Sequence, residues 1–98
     1  MNRPIKFQVT GDVVIFLSDI GNSKEFAELL SKALGAKPRK RRILIWVVRA
    51  EFIINEEVVP LFVDEDGSAH LEFLKTSKAV AQEVVRRLEQ SPDFIRTD

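Results

Sequence analysis

Two stretches of this chain repeat their apolar residues with the period of a helix, and nearly all the rest alternates with the period of a strand. In residues 23–34, Phe26, Leu29, Leu30, Ala33 and Leu34 fall at i, i+3, i+4, i+7 and i+8, one face of a helix. In residues 77–90 the stripe is Val80, Ala81, Val84, Val85 and Leu88. Each stripe must be buried against something, and the alternating segments supply the surface. Asn22 with Glu25 reads as a capping box for the first helix, and Gly35 as its stop. Thr76 or Ser77 caps the second, Glu83 and Arg87 pair along it, and Pro92 ends it.

Among the strands, Ile5, Phe7 and Val9 alternate with Lys6 and Gln8, the pattern of a half-buried strand. A turn at Thr10-Gly11-Asp12 leads into residues 13–17, which are apolar on both faces. Residues 43–54 read as one long strand whose even positions, Leu44, Trp46, Val48, Ala50, Phe52 and Ile54, are all apolar. Asn55-Glu56 turns it into residues 58–63, which Pro60 assigns to an edge or a bulge. After a turn at 64–67, Ala69, Leu71 and Phe73 alternate with His70, Glu72 and Leu74, and Phe94 and Ile95 fold back onto the body. The order ββαβββα in a chain of 98 residues predicts a single domain, 1–98, of class α+β. The expected architecture is a two-layer sandwich: a five-stranded antiparallel sheet of order 2-1-3-4-5 with both helices on one face. Trp46 is expected beneath those helices, beside Leu29, Leu30, Val84 and Val85.

Composition removes several function classes. Without cysteine there are no disulfides, thiolate metal sites or cysteine nucleophiles. No apolar run approaches the roughly 20 residues of a membrane span, so no membrane partner is expected. Residues 1–6 carry no apolar signal region, which predicts a cytoplasmic location. Sparse Cys, Met, Asn and Gln beside abundant charge lean toward a thermophilic source. The glycines form no phosphate loop, and Ser18 and Ser31 have no base beside them. His70 is the only histidine, and Glu72 shares its strand face, but one His-x-Glu is no metal signature. An EF-hand reading of the 64–67 turn would put Phe62 and Phe73 at ligand positions, where neither can bind a cation. The expectation is therefore a non-enzyme with no cofactor and no metal.

The most distinctive segment is 37–42, in which Lys37, Arg39, Lys40, Arg41 and Arg42 place five cations in six residues. Such a connector can contact phosphates and release counterions. The next stretch is acidic: between Arg49 and Lys75 stand Glu51, Glu56, Glu57, Asp64, Glu65, Asp66 and Glu72, with no Lys or Arg. A long third strand would carry the basic loop past the 64–67 turn by about 13 Å, four residues at ~3.3 Å each, beyond full screening by those acids. The order of elements from 22 to 90 resembles that of the double-stranded-RNA-binding domain, with Ser77, Lys78, Ala81 and Leu88 similar to the start of its second helix. Ala79 and Gln82 stand where that family has lysines, and residues 55–57 are acidic where it contacts RNA, so no function is carried over.

Two helices cover only one face of a sheet. Alternation assigns Val14 and Phe16 from the second strand, and Ile43, Ile45 and Val47 from the third, to the uncovered face. An apolar patch of that size predicts a homodimer, hence a non-catalytic interaction or regulatory domain that self-associates through its sheet. The alternative is a nucleic-acid-binding protein, or one taking another anionic partner, that uses Lys37, Arg39, Lys40, Arg41 and Arg42.

Overall fold

The structure, a computed structural model, describes residues 4–17, 23–39, 41–43, 47–64 and 67–98. Two helices, α1 (Ser23–Leu34) and α2 (Lys78–Gln90), cover one face of a mixed sheet. The strands are β1 (Ile5–Thr10), β2 (Val13–Phe16), β3 (Arg41–Ile43), β4 (Val47–Ile54), β5 (Glu57–Asp64), β6 (Ala69–Glu72) and β7 (Phe94–Arg96). Their order in the sheet is β3-β4-β5-β6-β2-β1-β7, six strands forming the body and the three-residue β3 lengthening one edge. All neighbours are antiparallel except β1 and β7, which are parallel.

The α+β class, the two layers and both helix spans agree with the sequence pattern, whereas the five-stranded antiparallel sheet of order 2-1-3-4-5 does not. β2, not β1, joins the two halves: Val14 lies opposite Leu71 and Ile15 opposite His70. A strand apolar on both faces suits an inner position, and the other side of β1 is filled by β7, with Ile5 opposite Phe94. Nor is 43–54 one strand. Ile43 pairs with Val48 and Arg41 with Ala50, so the segment doubles back as a β3–β4 hairpin. A run that is apolar at both parities carries no period-two mark of where it reverses. Leu44, Ile45 and Trp46, with the predicted core site of Trp46, lie outside the described residues, as does Asn22.

Pro60 falls in a central strand, not an edge. The Arg39 N–H donates to the Glu51 carbonyl at 2.7 Å, so the main-chain groups of Glu51 face β3. Pro60, opposite Glu51, therefore turns its nitrogen away from β4 and costs that ladder no bond; it stands just past the last β5–β6 pair, Leu61 with Leu71.

The core lies between sheet and helices. Phe7, Val14, Phe16, Phe52, Leu61 and Leu71 meet Phe26, Leu30, Leu34, Val80, Val84 and Leu88 there. Val14 and Phe16, expected on the uncovered face, are 0% and 2% exposed. The reason is hairpin register. With a two-residue turn at Gly11-Asp12, Phe16 sits opposite Phe7 and must share its face. Its ring meets Phe26 edge-on, centroids 5.0 Å apart, and lies 5.7 Å from Phe94.

Polar ties fix the helices. The Ser77 hydroxyl caps α2 by accepting from the Val80 N–H at 3.3 Å. The Glu57 carboxylate in turn accepts from the Ser77 hydroxyl at 2.6 Å and from its N–H at 2.7 Å. These bonds, the side-chain one foremost, hold Glu57 below the usual carboxylate range. The Arg87 guanidinium donates to the Leu34 carbonyl at 2.6 Å, closing the C-terminus of α1, while its Nε donates to Glu83 at 2.7 Å.

Two predictions follow from the local geometry. The β4–β5 turn holds Asn55 at φ 50° and Glu56 at φ 70°. A left-handed conformation costs a side-chain-bearing residue about 1–2 kcal/mol, partly offset by the unfolded-state freedom that glycine adds. Glu56→Gly should therefore stabilise the protein by about 0.5–1 kcal/mol, read as a higher urea midpoint at unchanged slope. Glu83 is held at about 2, against an ordinary 4.5, by hydrogen bonds first from Arg86 and then from Arg87. It is ionised in both folded and unfolded chains above 4.5, and its contribution fades as pH falls through about 2. The stability gap between wild type and Glu83→Gln should be constant above pH 5 and shrink toward pH 2, measured by urea unfolding across that range.

Candidate interaction surface

Alternation that sends one set of side chains to the helices sends the other to the open face of the sheet. Cross-strand register arranges that face in rows. One row runs Arg42, Arg49, Phe62, His70, Ile15, Gln8, from β3 across to β1. The next holds Glu51 opposite Pro60, and Glu72 opposite Val13. Ile53 and Val58 pair beyond them.

Within the first row the side chains of Arg49, Phe62 and His70 lie against one another. The Arg49 guanidinium carbon sits 5.3 Å from the centroid of the Phe62 ring. The His70 ring stacks on Phe62 from the neighbouring strand, centroids 5.1 Å apart and 19° from parallel. Phe62 is thus flanked from both sides and offers its edge outward, which makes it a poor platform for a nucleobase. Arg49 also reaches Glu51 at 3.9 Å, and His70 Nε2 reaches Glu72 Oε1 at 3.1 Å, so each of these carboxylates meets a nitrogen of the neighbouring row.

Beside these rows lies a groove of about 360 Å³, walled by Val58, Pro60 and Phe62 on β5 and by Leu74, with Arg49, Glu51, Glu72 and Lys75 around it. Leu74 is 68% exposed. Leu17 and Ile95, each 48% exposed, are the other large apolar residues in water among the described residues. Leu17 donates its N–H to the Lys6 carbonyl, and Ile95 pairs with Lys6, which places both on this same face. No family model, curated protein or solved structure matches this chain.

Elsewhere the polar chemistry is committed to structure. Among the described residues no charged or polar side chain is buried, none is left without a partner in the interior, and no cluster of His, Asp or Glu could hold a metal. The acids and bases with displaced pKa, Glu57, Glu83, Arg86, Arg96 and Asp98, cap helices or pair on the surface. A second groove, about 480 Å³, separates α2 from the β1–β2 turn, but its arginines are engaged, Arg86 by Glu83 and Arg96 by Asp98 and Glu89. Among the described residues no helix is long and apolar enough to cross a membrane.

The basic segment is not the projecting loop that the charge pattern predicted. Lys37 and Arg39 are exposed, but Arg41 and Arg42 belong to β3 and run back along β4 toward its middle, level with Ala50 and Arg49. Lys40 lies outside the described residues. Of the residues assigned to the dimer surface, Val14 and Phe16 are in the core, Ile45 lies outside the described residues, and Ile43 and Val47 are described by their backbones alone. The strand-two residues on the open face are Val13 and Ile15. Leu74, read from the sequence as out of phase with Ala69, Leu71 and Phe73, does face the other way, but it was not assigned to the dimer surface.

The stack on Phe62 should be measurable. A double-mutant cycle with Arg49→Ala and Phe62→Leu should give a coupling of about 0.5–1 kcal/mol in urea unfolding, the size of an exposed cation–π contact.

Proposed function

We propose that this chain is a non-catalytic interaction domain that pairs with a second copy of itself through the open face of its sheet. The observation that carries the reading is that Leu17, Leu74 and Ile95, the exposed large apolar residues among the described ones, all lie on the one face that the helices leave uncovered. A soluble surface scatters such residues; collected on one face with half-buried Ile15, Ile53 and Phe62, they mark a contact region. The charges support a like partner. Arg49 stands in one row and Glu51 in the next, so a two-fold rotation that lays one row over the other can pair the two between copies, with His70 over Glu72 as a hydrogen-bonding pair.

A second reading, an anionic partner such as nucleic acid along residues 37–42, is favoured by one observation. Lys37 and Arg39 are exposed and make no ion pair among the described residues, and the register continues their charge through Arg42 to Arg49. Against it stand Glu51 and Glu72, which would face phosphates on the same surface.

Sedimentation equilibrium at micromolar concentration should give twice the 11.2 kDa chain mass, and Ile15→Lys should weaken association at least tenfold while leaving the fold intact. A clean monomer rejects the reading. Replacing Arg39, Lys40, Arg41 and Arg42 together by Ala should leave the dimer unchanged. Retention of the wild type on DNA or RNA at low salt, lost in that variant, would favour the anionic partner instead.

A further inference from the structure

Histidine is the side chain whose ordinary pKa, about 6.5, lies between pH 5 and 8, and this chain has one histidine and no cysteine. Among the described residues, the displaced groups move away from that window: Glu57, Glu83 and Asp98 downward, Arg86 and Arg96 upward. The charge of the protein near neutral pH is therefore decided at His70, and His70 stands in the middle of the open face. Its ring is stacked on Phe62 of β5, and its Nε2 lies 3.1 Å from Glu72 Oε1 on its own strand. Ile15, opposite it on β2, carries no charge. On β5, Asp64 is the next outward residue after Phe62 and accepts from the Ser68 hydroxyl at 3.2 Å. Arg49 of β4 sits over the Phe62 ring. Glu72 is thus the charged group in contact with the imidazole.

We infer that His70 is a proton switch on self-association, the open faces of two copies binding more tightly once His70 is protonated. This rests on the self-association proposed above and adds its regulation. The register supplies the geometry. Arg49, Phe62, His70 and Ile15 lie level across four strands, and Glu51, Pro60, Glu72 and Val13 lie level two residues along. A two-fold axis running between these rows, parallel to both, lays Arg49 over Glu51 of the second copy. The same rotation lays His70 over Glu72 and Ile15 over Val13. Arg49 and Glu51 stay charged from pH 5 to 8, so their contact does not change. The His70 contact does. A neutral ring gives the second copy's carboxylate a hydrogen bond, whereas a protonated ring gives it an ion pair. Each protonated ring then lies between two carboxylates where the isolated chain offers it one, and symmetry makes the gain twice.

Sedimentation equilibrium at pH 8 and pH 5.5, at one ionic strength, tests the switch with wild type, His70→Gln and Glu72→Gln. The wild-type dimer should tighten at least tenfold at the lower pH. His70→Gln should dimerise equally at both, and Glu72→Gln, which keeps the histidine but removes its partner charge, should lose most of the change. The His70→Gln arm also separates the switch from general association near the isoelectric point, about 6.6, which that variant would retain. A wild-type dimer indifferent to pH or weakened by acid, or a response that persists in His70→Gln, would overturn the switch and leave sheet-mediated pairing standing. A wild-type monomer at both pH values overturns both.

Discussion

The pairing of β2 with β6 is the contact on which the rest of this structure depends. Each half of the sheet alone is a set of hairpins with one apolar face and a free edge. Setting Val14 opposite Leu71 aligns the buried stripe of the N-terminal hairpin with that of the 47–73 meander, so both helices can close over a single core. The Phe73 N–H extends the seam by donating to the Asp12 carbonyl at 2.7 Å. The same register decides what is left outside. With Phe16 turned in toward Phe26, Ile15 and Leu17 must turn out, and the open face runs unbroken from Arg49 to Lys6.

Elements with a clean period were legible in the sequence. Both helices, the inward set Ala50, Phe52 and Ile54, and β6 with Ala69 and Leu71 buried follow directly from spacing. His70 beside Glu72 was legible for the same reason. What escaped the pattern was of two kinds. Residues 13–17 and 43–48 are apolar at both parities, so alternation alone could neither orient β2 nor find the reversal between β3 and β4. The first of these had a remedy in the chain itself: a two-residue turn at Gly11-Asp12 counts Phe16 back to Phe7. Strand order was the other kind. It depends on contacts such as Val14 with Leu71 and Ile5 with Phe94 that no local signal encodes.

The candidate surface was half legible. Self-association was argued from an uncovered face, and that face exists, but the residues named for it from β2 were the wrong parity. Its actual centre, Arg49, Phe62 and His70, comes from three strands whose adjacency only the register supplies. The basic segment shows the opposite error. Its charge is plain in the sequence, yet the β3–β4 hairpin lays Arg41 and Arg42 along the sheet edge instead of sending them past its end. Cationic side chains on an edge strand also discourage strand-to-strand growth of the sheet.

The parallel β1–β7 pair has a consequence for how the protein is made. β1 leaves the ribosome well before β7, and Phe94 completes the aromatic group around Phe16 and Phe26. Until residues 94–96 have been synthesised, the outer edge of β1 is unpaired and the cluster lacks one ring. A contact between residues as far apart in sequence as Ile5 and Phe94 carries a high loop-closure cost and forms late. The nascent chain can assemble the 47–73 meander against the helices as it emerges, but it cannot seal the edge of β1 until β7 has been made.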